Sequence, residues 1–402
     1  MEFNLLKFCE IDKYATKSYC AIYNEPEDKN LGDITKIDLE SLPECDFVTT
    51  GSPCQSFSVA GKQHGGDKGS GTRSSLMWNN IDVVEKTKPK FVLWENVKNL
   101  LSDKHRHNFD AYIEVMDNLG YNSYYKVLNA KDYGIPQNRE RVYTLSIRKD
   151  IDKGYEFPEP VELKLKLKDM LEKNVDEKYY LSQEKVDKIQ LSNFAQEKTR
   201  IQDKDYCDTL LARDYKDPKC VRIGGIFDKD GKRKQAGGIW DKEGLCPTLD
   251  TAQGGWRQPS VVLEEEVKVT GAAMRGRYNS EGKTEQQIEI SDKEIANALT
   301  TVQKDSMAAE TTRTITRVRK LTPLEYWKLM GFKKEDFDKV GKEISASQRY
   351  KQAGNSIVVN VLEAIYKNIK KTYPEHFKDG LNVISLFSGI GAFEKALKTF
   401  DN

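Results

Sequence analysis

The chain has 402 residues, in which 64 Lys+Arg stand against 63 Asp+Glu for a formal charge of +1, with 38% hydrophobic and 10% aromatic residues. That composition suits one large core, or a core domain with a smaller companion, and excludes disordered and collagen-like classes. No stretch approaches the roughly twenty apolar residues of a membrane span, and the opening MEFNLLKFCEID has no basic region followed by a long apolar one, so a cytoplasmic protein is expected.

Cys9, Cys20, Cys45, Cys54, Cys207, Cys220 and Cys246 form no C-x-x-C pair, so reduced thiols are expected and no metal site. Near neutrality leaves nucleic-acid binding open, because phosphate contacts follow local Lys/Arg placement and not the net sum.

From residue 1 to about 150, short apolar runs alternate with amphipathic stretches, the pattern of an α/β domain with a largely parallel sheet. Strands are expected at Asn4–Phe8, Asp46–Thr50, Phe91–Glu95, Tyr124–Leu128 and Val142–Ile147. Helices are expected at Lys13–Tyr23, Leu76–Lys86 and Phe109–Leu119, the last closed by Gly120. Near Phe157-Pro-Glu-Pro160 the character changes, and Glu162–Lys188 reads as a short helix and a solvated linker. Between about 190 and 310 the chain is rich in Gly, Thr and β-like runs, with a degenerate element at Cys207–Leu210, Cys246–Leu249 and Ala296–Leu299, whose uneven spacing favours a small β-rich domain over a solenoid. Helices return with Thr322-Pro323 as N-cap and first residue and again over Ile357–Lys370. The chain then closes on a buried strand at Asn382–Phe387, a Ser388-Gly-Ile-Gly391 turn and a helix at Ala392–Lys398, a unit that ordinarily opens a nucleotide-type domain.

Chemistry concentrates at the ends of the predicted strands. Gly51-Ser-Pro-Cys-Gln-Ser-Phe-Ser58 puts Cys54 at the carboxyl end of the sheet, ahead of the glycine-rich loop Gly61–Gly71. A lone cysteine there is more often structural than nucleophilic. Glu95-Asn-Val97 would bring a desolvated carboxyl, a candidate proton donor, to the same edge, although a surface ion pair is a glutamate's commoner fate. Arg139 and Arg141, two apart on one extended face, would hold a carboxylate and a phosphate, or else form a charged surface. Gly389 and Gly391 admit a ligand against the backbone, no Walker lysine follows, and a packing role is equally open. Glu10 is placed to accept hydrogen bonds from ribose hydroxyls, and Asp33 to contact an adenine amino group.

Together these segments resemble the ordered motifs of the C5-cytosine DNA methyltransferases, whose members use S-adenosylmethionine. The matching blocks are Pro53-Cys54-Gln55, Arg73–Leu76, Glu95–Val97, Gln137–Arg141, Arg319–Glu325 through Gly331-Phe332, Gln352–Ser356 and Phe387–Gly391. They cover about residues 1–150 and 313–400. The cofactor-loop block, which normally comes first, here comes last, an order that looks like a circular permutation with Met1 near Asn402. Ala392 stands where the family often has another glycine.

The resemblance implies a doubly wound, Rossmann-like methyltransferase domain from residues 1–158 and 311–402, and a smaller β-rich target-recognition domain at 159–310. It implies that Cys54 attacks C6 of a flipped-out cytosine, that Glu95 serves N3, that Arg141 binds O2 and that Arg139 holds the ion-pair network. Nearby positive charge would favour the Cys54 thiolate. S-adenosylmethionine would be held by Phe387, Ser388, Gly389, Ile390, Gly391, Glu10, Ile11, Asp33, Ile34, Pro53, Leu76, Asn355 and Ser356. Gln55, Ser58, Arg73, Gln137 and Arg257 would contact the substrate. The expected partner is double-stranded DNA, with the enzyme a monomer, nucleoid-associated when on DNA, belonging to a restriction–modification pair or acting as an orphan or phage enzyme. Two rivals are a tRNA cytosine-5 methyltransferase and a catalytically silent, sequence-specific DNA-binding protein.

Overall fold

The computed structural model of the chain describes residues 3–57, 64–180, 182, 239–240, 242, 245–249, 260–278, 284–290 and 307–399. They fall into two compact units: residues 1–175, 204–259 and 321–402, and residues 176–203 and 260–320.

The larger unit is built on a six-stranded sheet of β1 (Phe3–Cys9), β2 (Phe47–Thr50), β3 (Phe91–Val97), β4 (Tyr121–Asn129), β5 (Glu140–Arg148) and, from the far end of the chain, a strand at Leu381–Leu386. That last strand lies between β1 and β2 and is parallel to both, and β2 is parallel to β3. β5 runs antiparallel to both β3 and β4, so the sheet is mixed but largely parallel, as expected, with β5 its one reversed strand. Every residue of β2 and β3 is buried, as uninterrupted FVTT and FVLWENV runs require of strands covered on both faces, whereas edge strand β4 is mostly half-exposed. Asp46 falls just outside β2, its carboxylate accepting from the Lys90 ammonium and from the Asn382 backbone N–H.

Among the described residues, the α-helices longer than one turn are α1 (Lys13–Tyr23), α2 (Met77–Thr87), α3 (Arg106–Asn118), α4 (Pro323–Leu329), α5 (Lys334–Lys339), α6 (Ala346–Asn355), α7 (Val359–Thr372) and α8 (Ala392–Lys398). Thr322 and Glu325 form the capping box that starts α4, with Pro323 at its first position. Glu325 also accepts from the Glu172 backbone N–H, and Lys328 donates to Met170 O. The short helix expected in this segment forms at Leu167–Met170, and with Leu167 and Met170 buried it is docked rather than solvated.

In the smaller unit, β6 (Ser260–Tyr278) pairs antiparallel with β7 (Thr284–Ile290) and β8 (Met307–Lys320). Arg317 lies over the Tyr180 ring at 3.7 Å. Of the degenerate element, only Cys246–Leu249 is among the described residues, and Cys246-Pro247 pairs with Gln137-Asn138. Numbering by chain order makes Leu381–Leu386 β9.

A candidate active site at the carboxyl edge of the sheet

The parallel strands β1, β9, β2 and β3 end on one edge, and antiparallel β5 begins there. That edge therefore carries Glu10, Phe387, Gly51, Glu95 and Arg141 together, although they span most of the sequence. Val97 stands opposite Arg141 in the β3/β5 register, and Arg141 Nε reaches Glu95 Oε1 at 3.1 Å.

The loop bearing Cys54 is fixed to the sheet from several sides. Gly51 N donates to Leu386 O, and a side chain at Gly51 would meet Ile357 Cδ1 at 3.2 Å and Glu95 Oε2 at 3.9 Å. Ser52 Oγ receives Trp94 Nε1 at 2.9 Å and Asn96 Nδ2 at 3.3 Å. Phe57 N closes a turn on Cys54 O, Asn99 Nδ2 donates to Phe57 O at 2.6 Å, and Ser56 N donates to Ser74 Oγ at 3.0 Å. Ser52, Ser74 and Asn96 fall inside segments the sequence marks out but carry no role of their own there, and Asn99 lies in none of them.

Burial raises the Glu95 carboxyl above the ordinary carboxylate range, against the opposing pull of Arg141 and Arg139. It likewise raises the Cys54 thiol, with Arg141 and Arg139 acting to lower it and Glu95 to raise it further. The two arginines thus favour the thiolate, as expected, but desolvation outweighs them and the thiol stands raised. The two groups are linked: a neutral Glu95 would leave both arginines acting on Cys54 alone.

Arg139 departs from its expected use. It is 4% exposed and donates to Leu249 O at 3.0 Å, Gly354 O at 3.2 Å and Ser356 O at 2.7 Å, and among the described residues no carboxylate pairs with it. Burial foremost, and then Arg141, brings its guanidinium down to about 9. Gln137 is fully buried, its amide nitrogen on Leu329 O at 2.8 Å and its oxygen accepting from Leu249 N at 3.4 Å, so it fixes the scaffold and does not reach a substrate. Arg73 and Gln55 remain at the surface, their side chains 3.4 Å apart. Ser58 and Arg257 lie outside the described residues, as do Met1 and Asn402.

At the neighbouring strand ends, Phe387 has φ +53°, Gly389 +57° and Gly391 +81°. A side chain added at Gly389 would meet nothing within 4 Å, whereas one at Gly391 would strike the Tyr23 ring at 2.2 Å. Gly391 therefore serves packing, and Gly389 borders open space. Gly389 N donates to Glu10 Oε2 at 2.9 Å and Asp12 N to Glu10 Oε1 at 2.7 Å. Burial raises this carboxyl despite those bonds, and each oxygen keeps a lone pair for a hydroxyl.

Ile11 is 73% exposed, an apolar side chain standing free beside Glu10. Asp33 accepts from Thr35 N and Oγ1, which lower its carboxyl, and Ile34 is buried. Ser356 is buried at the end of α6, Asn355 is exposed, Pro53 and Leu76 are half-buried, and Ala392 is already the first residue of α8. An open glycine, a carboxyl with free lone pairs and an exposed apolar side chain suit a nucleoside-bearing ligand.

The sequence profile described as C-5 cytosine-specific DNA methylase matches residues 1–371. The chain is 32% identical to the orphan methyltransferase M.SPBetaI of Bacillus phage SPbeta, over 93% of this chain and 93% of that protein. It is 32% identical to the type II methyltransferase M.HhaI of Haemophilus parahaemolyticus, over 90% and 85%. The crystal structure of the S. pombe Dnmt2 methyltransferase has a like fold, with TM-score 0.55 and 17% identity over 93% of this chain and 92% of that one.

Proposed function

Because the chain belongs to the C-5 cytosine-specific DNA methylase family, we propose that this DNA (cytosine-5)-methyltransferase acts through a covalent bond between Cys54 and the target cytosine. The observation that carries the reading is the meeting of the Cys54 loop with the Arg141–Glu95 pair at the edge of the sheet. C5 of cytosine is a poor nucleophile. Addition of Cys54 Sγ to C6 moves electron density onto C5, and Glu95 stabilises the charge developing at N3 by sharing its proton there. While Glu95 keeps its proton it carries no charge to oppose the Cys54 thiolate, and Arg141 and Arg139 favour that thiolate; as the proton passes to N3, the carboxylate left behind is paired with Arg141. Arg141 orients Glu95 through Nε and, among the described residues, has Nη2 without a protein partner, available for the cytosine O2. Arg139 acts as a positioning residue through Leu249, Gly354 and Ser356. C5 and C6 are reached only when the base leaves the stack, and the loop following Cys54 is the element to close behind it.

S-adenosylmethionine, when bound, supplies the electrophilic methyl group. The residues that would hold it are Glu10 on the ribose hydroxyls, Ile11 and Phe387 on the apolar faces of the nucleoside, Asp33 and Ile34 at the adenine, and Gly389 where the backbone is open. Pro53, Leu76, Asn355 and Ser356 would complete the pocket.

We read the motif order as a circular permutation, with β9 and its turn, from the far end of the chain, set between β1 and β2. Residues 159–310 are assigned to target recognition, with Arg257 and the remaining substrate contacts there and in Gln55, Ser58 and Arg73. The enzyme would act on double-stranded DNA as a monomer, either beside a cognate endonuclease or alone; among its relatives one is named an orphan methyltransferase and another a type II methyltransferase.

The test is tritiated methyl transfer from S-adenosylmethionine to mixed-sequence duplex DNA by wild type and Cys54→Ser, with bisulfite sequencing of the product. 5-Methylcytosine at one recurring sequence, with wild type alone, is expected. Undiminished transfer by Cys54→Ser would remove the covalent mechanism, and transfer to tRNA but not to duplex DNA would favour an RNA substrate.

A further inference from the structure

Four polar atoms are enclosed beside the Phe387–Gly391 turn without a hydrogen bond of normal geometry: both carboxyl oxygens of Glu394, Tyr19 OH and Ser385 Oγ. Glu394 is 1% exposed, and Tyr19 and Ser385 are fully buried. An acid in the first turn of a seven-residue helix has an easy route to water, so its complete burial among hydroxyls calls for a reason.

The groups facing Glu394 come from every element that frames the turn. Ser385 belongs to β9, Tyr19 and Tyr23 to α1, Tyr366 to α7, and Lys398 to α8 itself. Each also leads toward the turn. Ser388 Oγ donates to Ser385 O at 2.9 Å, and Tyr23 OH donates to Gly391 O. Tyr19 stacks on Phe8, with ring centroids 4.2 Å apart, two residues before Glu10. Burial holds the Glu394 carboxyl toward its neutral form, only partly countered by Ser385, Tyr19 and Lys398, and a neutral carboxyl both donates and accepts.

We propose that Glu394 is a positioning residue for the methyl donor: its buried carboxyl, facing Ser385 of β9 and Tyr19 of α1, keeps those elements in place and so sets the Gly389 turn against Glu10. This rests on the reading of that turn as the S-adenosylmethionine site. Glu394 touches no reacting atom, so the signature is on binding and not on the chemical step.

The experiment uses the full-length protein, calorimetric titration with S-adenosylhomocysteine, steady-state kinetics and thermal melting without ligand. Glu394→Leu, of similar bulk and unable to hydrogen-bond, should weaken S-adenosylhomocysteine binding and raise the KM for S-adenosylmethionine about tenfold, while kcat at saturation changes less than about twofold. Glu394→Gln, which still donates and accepts, should restore binding to near the wild-type value. Should the leucine variant fail to fold, Tyr19→Phe and Ser385→Ala each remove one hydroxyl and should weaken binding about threefold with unchanged melting. Wild-type affinity in the leucine variant would overturn the proposal, as would equal loss of affinity and melting temperature in Glu394→Leu and Glu394→Gln. A wild-type protein that does not bind S-adenosylhomocysteine would instead defeat the cofactor reading itself, and the proposal with it.

Discussion

Arg139 and Arg141 are two residues apart and carry the same charge, yet the structure uses them differently. Arg141 pairs with Glu95 and faces the Cys54 thiol, while Arg139 is spent on three carbonyls of distant segments. Replacing Arg141 by Gln removes the larger of the two influences lowering the Cys54 thiol, so the thiol should titrate higher still. Iodoacetamide alkylation of Cys54 followed against pH should then shift to higher pH in Arg141→Gln. Methyl transfer should fall about 10²–10³-fold, the usual cost of one preorganised charge donor. Faster alkylation at pH 7 would contradict the electrostatic assignment. Arg139→Met should act on the fold, leaving three buried carbonyls without their donor at about 1–3 kcal/mol in urea unfolding. The Arg141–Glu95 association follows from two strand ends meeting. The partners of Arg139, 110 to 217 residues away, have no local signature in the sequence.

At the scale of elements, the turn between β9 and α8 separates two kinds of glycine that look alike in sequence. Gly389→Ala puts a methyl group into open space at a φ that costs about 1–2 kcal/mol, so it should melt slightly earlier and bind S-adenosylhomocysteine more weakly. Gly391→Ala drives the methyl into Tyr23 and should lose the fold before it loses a ligand. Circular dichroism melts with and without S-adenosylhomocysteine distinguish the two. Strands β2, β3 and β9 were legible because an unbroken apolar run can be satisfied only by cover on both faces. Gln137 was not: in a motif beside two arginines it reads as a substrate contact, and only the approach of Leu329 and Leu249 shows its amide to be occupied.

At the scale of the whole molecule, acids raised by burial set the response to pH, Glu10 among them. Glu95 and Glu394 both bind protons more tightly folded than unfolded, chiefly through burial. Between the ordinary carboxyl value of 4.5 and their raised folded values the native state therefore holds more protons, and stability falls as pH rises across that interval. Asp12 runs the other way. Burial opposes it, but Lys351 and the N–H groups of Tyr14 and Ala15 hold its carboxyl low, so its contribution is lost only as pH falls below 3.8. Glu394→Gln should be stabilised relative to wild type by more at pH 8 than at pH 5 in urea unfolding, and a constant difference would show that Glu394 does not titrate with folding. The motif order is also tested at this scale. Moving residues 380–402 ahead of Met1 through a flexible linker should preserve methyl transfer, since β9 would enter the same slot from the other end of the chain.

That slot has a consequence for how the protein is made. Asn4 and Asn382 hydrogen-bond side by side across 378 residues, so a ribosome releases β1 and β2 long before the strand that joins them. Until then two facing strand edges stand unpaired, the situation that invites wrong partners and slows folding. Because the turn proposed to hold the methyl donor arrives on the same segment as β9, a chain still lacking it would carry Cys54 without that turn.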